Sequence, residues 1–184
     1  MTRLDRRKFG FWYIFFEYRK SHLVGKEGIS ALIIGGGGGI EVLQLTSVSQ
    51  RIAITGDFLT LISALVGVVL AGFALVVAFL SDSYTLQLQK NPKGVRAFFA
   101  PFMINIGIDV GLLIGVVAYR SVAPFLPHFL ENAVFVILAI VFIFAALNIT
   151  ALTRTVMAHG VTRAELITMD QLERQLNDSD AKNE

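Results

Sequence analysis

The residues of this 184-residue chain whose types suit chemistry are two acids and an amide, each set inside an apolar run. Asn105 and Asp109 interrupt Ala97 to Tyr119 (AFFAPFMINIGIDVGLLIGVVAY), and Glu41 follows the glycine run Gly35 to Gly39 with only Ile40 between. An ionised aspartate at the centre of a membrane-spanning helix costs on the order of 2.5–3.5 kcal/mol on insertion scales, so Asp109 is expected to face a partner or water. Two chemistries suit it. One is a hydrogen bond inside a helical bundle, with the acid ionised or protonated. The other is a ring of carboxylates around an oligomeric pore selecting cations, or a proton relay. For Glu41 the choice lies between the outer headgroup boundary and the vestibule of a gate. Five glycines in a helix interior cost ~1 kcal/mol each relative to alanine, so the stretch before Glu41 is expected to be loose or broken.

The same span has a second face. Gly107, Gly111 and Gly115 recur every four residues, a spacing that lets a neighbouring backbone approach closely where lipid supplies no hydrophobic force. Asn105 and Asp109 are two residues out of phase with them, roughly on the opposite side of a helix that turns ~100° per residue. One face is thus expected to pack and the other to make polar contacts. Ser63, Gly67 and Ala71 form a weaker small-residue stripe. Asn148 reads as an interhelical hydrogen-bonding residue. Glu131 and Asn132 read as the acidic start of a helix, where a negative charge favours the dipole.

Catalytic constellations do not emerge. The chain has no cysteine, which excludes disulfides, thiolate metal sites and cysteine nucleophiles. His22, His128 and His159 are expected on both sides of the membrane and assemble no metal site. No phosphate-cradling loop, HExxH, Gly-x-Ser-x-Gly or nucleic-acid-binding motif is present. The expectation is a protein that is not an enzyme and carries no metal or cofactor.

Composition explains where such residues must sit. The chain is 54% hydrophobic and 16% charged, with a mean hydropathy of +0.65, against roughly 25% charged residues in soluble domains. A spanning helix needs ~20 apolar residues, and four segments approach that length: about 29–45, 58–80, 97–119 and 133–152. With four spans, the segments 1–27, 81–96 and 153–184 share one side and hold 14 Lys and Arg, while the other side keeps Arg51 and Arg120. Positive charge marks the cytoplasmic side. The expected fold is all-α: a polytopic membrane helical bundle of four transmembrane helices, both termini cytoplasmic, in homo-oligomers. Three regions follow. Residues 1–27 form a basic, aromatic interfacial segment, with Trp12, Phe15, Arg19 and Lys20 at the membrane interface. Residues 28–152 are the transmembrane domain. Residues 153–184 carry a short cytoplasmic helix opened by a capping box, Thr162-Arg163-Ala164-Glu165, with Leu166, Met169, Leu172 and Leu176 along one stripe, then a polar tail from Asn177.

From Phe58 onward, a glycine-punctuated span (LISALVGVVLAGFALVVAFLSD) leads into a short basic loop, a polar-interrupted third span and a fourth span with a cytoplasmic helix. This arrangement resembles a loosely defined group of small four-span bacterial membrane proteins that accompany anti-phage defence systems as membrane effectors or sensors. The resemblance covers about two-thirds of the chain and is architectural; the poly-glycine first span departs from it. It implies a prokaryotic inner-membrane protein that forms an ion-conducting pore, or perturbs the membrane, when triggered from the cytoplasm. Asp109, Asn105 and Glu41 would line its polar path, and Gly107, Gly111, Gly115 and Gly67 would pack its helices. The alternatives are a non-conducting anchor or sensor that recruits a soluble cytoplasmic partner, and an accessory subunit of a larger membrane complex or transporter.

Overall fold

The computed structural model describes Tyr13, residues 25–78 and residues 94–180. The interfacial residues Trp12, Phe15, Arg19 and Lys20, most of the 81–96 loop and the last four residues lie outside the described residues. Among the described residues the element order is α1 (Lys26–Leu45), α2 (Val48–Ala78), α3 (Gly94–Val122) and α4 (His128–Asp180), with a tight 3-10 turn (Ala123–Phe125) before α4. All four are long and apolar enough to cross a membrane.

Local chemistry sets the boundaries. α2 begins at Val48, ten residues before the apolar run from Phe58, because Ser47 and Gln50 initiate it: the Ser47 amide donates to Gln50 Oε1 at 2.8 Å. That is one half of an S-x-x-Q capping box, in which the third helical residue reaches back to the cap. Pro124 and Pro127 shape the short link from α3 to α4, and the Glu131 amide closes the first turn of α4 on the Pro127 carbonyl at 3.0 Å.

Two helices differ from expectation. The glycine run does not break α1, which is helical throughout. Gly35 and Gly39 are buried against α4, where a Cβ on Gly35 would stand 2.6 Å from Ile140 Cα. Backbone-to-backbone packing offsets the poor helix propensity of glycine, and only residues without side chains permit it. α4 runs for 53 residues without interruption, about 80 Å at 1.5 Å per residue. No separate cytoplasmic helix starts at Thr162; its hydroxyl donates to the Ala158 carbonyl at 3.0 Å, one turn back in the same helix. Hydroxyls in mid-helix bond this way when the preceding turn is already helical.

α4 is the common neighbour, since α1 lies against it and α2 and α3 pack against it and against each other. The seam of α3 buries Phe102, Asn105, Asp109, Leu112, Val116 and Tyr119, the alternating three- and four-residue spacing of a helix packed along one stripe. Near the turns joining α1 to α2 and α3 to α4, Ile62, Leu112, Val116, Phe135 and Leu138 form the core. Phe58 stacks on Phe142 there, centroids 4.3 Å apart. Towards the opposite end a smaller apolar cluster takes over, with Val69, Val76, Phe102 and Leu152 at its centre and Phe73 and Phe99 around it.

Candidate functional site

At the turn end a buried ion pair ties the bundle together. Arg51, one turn into α2, is 4% exposed and Glu131, one turn into α4, is 1% exposed. Their contact is bidentate: Nε donates to Oε1 at 2.9 Å and Nη2 to Oε2 at 2.5 Å. The planar guanidinium matches the carboxylate fork, the geometry in which such pairs are strongest. Nη1 donates to the carbonyl of Thr46, the C-terminal cap of α1, at 2.5 Å. From α3, the Tyr119 hydroxyl donates to Glu131 Oε1 at 2.5 Å. Asn132 Oδ1 lies 3.5 Å from Nη2, and the guanidinium carbon stands 6.0 Å from the centre of the Phe135 ring. One cluster therefore takes a group from each of the four helices. Both charges are desolvated, but the hydrogen bonds around them are the compensation that a buried pair requires.

A second arginine works beside it. Arg120 donates from Nη1 to the Ile52 carbonyl at 3.1 Å. Its guanidinium lies over Gly56, where any Cβ would collide with Nη1. Gly56 is thus the close approach that lets α3 reach a backbone carbonyl of α2.

Asp109 lies ten residues along α3 from Tyr119, about 15 Å deeper into the bundle. It is 2% exposed, and its Oδ2 has no hydrogen-bond partner. Asn105, one turn further on, turns its amide nitrogen to the Pro101 carbonyl at 2.9 Å. Asn148 of α4 is also buried. The polar face of α3 is therefore the face buried against α2 and α4 inside the protomer.

The glycine face is open at Gly111 and closely packed at Gly115. A Cβ on Gly111 would meet nothing within 4 Å, while one on Gly115 would stand 3.2 Å from Leu138 Cδ2. Gly107 and Gly111, with Ile108, Leu112, Leu138 and Val141, line a groove between α3 and α4. Gly67 on α2 is exposed and also has open space at its Cβ position. Close approach to α4 is made by Gly115 of α3 and by Gly35 and Gly39 of α1. Glu41 is exposed on α1, so the structure does not bring it to the buried pair Asn105 and Asp109. Among the described residues no three His, Asp or Glu side chains gather where a metal ion could be held.

Reasoning from sequence picked out Asp109 and Asn105 because they break an apolar run. It missed the Arg51–Glu131–Tyr119 cluster, reading Arg51 as an outer charge and Glu131 as a dipole residue. The available signal was a pair of opposite charges, each one turn inside a helix start, on the same expected side of the membrane. No family model, curated protein or solved structure matches this chain.

Proposed function

We propose that this chain is a multi-pass protein of a prokaryotic cytoplasmic membrane that assembles with copies of itself and opens a polar path, or perturbs the bilayer, when triggered from the cytoplasm. The observation that carries the reading is Asp109: a carboxyl 2% exposed, with one oxygen unpartnered, in a helix apolar enough to span a membrane. An ionisable residue in that position is costly and is a functional-site candidate by default. Because Asp109 is buried within the protomer, the path runs between α2, α3 and α4 and opens when their ends remote from the Arg51–Glu131 pair separate. The groove beside Gly107 and Gly111 is where copies meet. A role in anti-phage defence fits this mode of action.

The test is ion leakage from cells or vesicles carrying the triggered protein. Asp109→Ala is expected to abolish leakage while insertion is retained; unchanged conductance rejects the path. Gly111→Leu is expected to break the assembly seen by native mass spectrometry of the detergent-purified protein, and a monomeric native protein rejects self-assembly.

One observation favours the anchor or sensor reading. Beyond Leu152, α4 continues for 28 residues, and Val161, Ile167, Met169 and Leu172 are exposed along it. A helix extending about 40 Å past its core offers a surface to a soluble partner. On that reading deletion of residues 161–184 abolishes function and Asp109→Asn leaves it intact.

A further inference from the structure

We propose that the ligand of Asp109 is a proton: in the closed bundle the side chain is held as the neutral acid, in a site that suits a proton and not a metal cation. The inference rests on the reading of α2, α3 and α4 as membrane helices, which the proposed path shares, but it does not depend on conduction.

Asp109 is buried and its Oδ2 accepts no hydrogen bond. The helices packed against α3 are α2 and α4. Neither Phe58 to Ala78 of α2 nor Ala133 to Leu152 of α4 contains a charged or titratable residue. Along α3 the next charges are Arg96 and Arg120, about 20 and 16 Å away by helical rise. Arg120 is engaged on the Ile52 carbonyl, and Arg51 on Glu131. Tyr119 donates to Glu131. His128, Arg154 and His159 lie on α4 outside its apolar run, Asp57 is exposed on α2 before its own, and Glu41 is exposed on α1. Among the described residues the carboxyl therefore has no countercharge in reach, and an uncompensated charge in such surroundings takes up a proton instead.

A metal cation would need more. A calcium-type ion takes roughly six to eight oxygens, and no cluster of acids or histidines supplies them among the described residues. A proton needs a single oxygen, and its addition turns the carboxylate into a neutral group with one donor. Ionisation then requires water or a cation to reach the interior. Release of the proton and separation of α2, α3 and α4 are consequently linked, each favouring the other.

Infrared spectroscopy of the full chain in phosphatidylcholine vesicles at neutral pH tests this. The carbonyl stretch of a neutral carboxylic acid is expected in the native protein, lost in Asp109→Asn and displaced in Asp109→Glu, and unchanged when sodium, potassium or calcium is added. Loss of a carboxylate band in Asp109→Asn, or a band that moves with added cation, overturns the proposal. If the variants fail to insert, the native chain labelled with carboxyl-13C aspartate decides. A labelled neutral-acid band supports the proposal, and carboxylate bands alone overturn it. Loss of the path in the leakage test with the neutral-acid band present rejects conduction and leaves the proton site standing.

Discussion

Glu131 and Asp109 are both carboxyls buried to within 2% exposure, yet their surroundings are opposite. Glu131 receives two bonds from Arg51 and one from Tyr119; Asp109 keeps an oxygen with no donor. The first sits where helices begin, within reach of backbone caps and turns. The second sits mid-helix, between neighbours with no charge at that depth. Their difference separates two uses of a buried acid. A fully bonded one holds elements together, whereas an unpartnered one raises the energy of the packed state and gives it somewhere to go. In this molecule the holding group lies at the turn end, and the opposite end relies on the apolar contacts of Val69, Val76, Phe102 and Leu152. Any opening is therefore expected to pivot about the Arg51–Glu131 pair.

The strongest way to break the comparison is Arg51→Ala. It strands Glu131 in a dry site, for which a loss of about 3–5 kcal/mol is expected, measured by equilibrium unfolding in detergent. The double variant Arg51→Leu/Glu131→Leu is expected to recover most of that loss, because neither charge then remains buried alone. If single and double variants unfold alike, the pair does not hold the bundle. Tyr119→Phe comes next. It removes one bond to a charged acceptor, worth about 1.5–3 kcal/mol, and leaves the Arg51 contacts in place. An intermediate loss sharpens the picture of one cluster spanning four helices, and no loss removes α3 from it.

Gly35→Val asks whether α1 belongs to the same holding system. A Cβ at Gly35 would lie 2.6 Å from Ile140 Cα, and overpacking of this kind costs about 1–3 kcal/mol. Gly38→Val is the control, since a Cβ there meets nothing within 4 Å. Equal effects at the two positions would mean that helix propensity, and not the approach of α1 to α4, governs the glycine run.

The parts of the fold that sequence reveals are those set by local composition. Apolar runs of about twenty residues identify four spanning helices, and Asp109 stands out because charge is rare inside such runs. The start of α2 was hidden because Arg51 and Asp57 make its first turns look like a loop, although Ser47 and Gln50 carried the capping signal. The length of α4 was hidden because Thr162 and Glu165 fit a helix start equally well in sequence and in mid-helix. On α3 the periodicity separates the glycines from Asn105 and Asp109, but periodicity does not say which face a neighbour covers, and the structure covers the polar one. Arg51 and Glu131 are 80 residues apart. Only the packing of α2 on α4 joins them, and their opposite charges near two helix starts are the one trace of it in the sequence.

The smallest expected effect is the most discriminating. Asp109→Asn keeps the shape of the side chain, and Oδ2 makes no hydrogen bond to lose, so the cost to stability is expected below about 1 kcal/mol. A buried carboxyl whose replacement leaves the fold intact while leakage or the neutral-acid signal disappears is a working group and not a structural one. A loss approaching that of Arg51→Ala would instead mean that Asp109 holds the interior of the bundle as Glu131 holds its end. The two acids would then differ in depth alone.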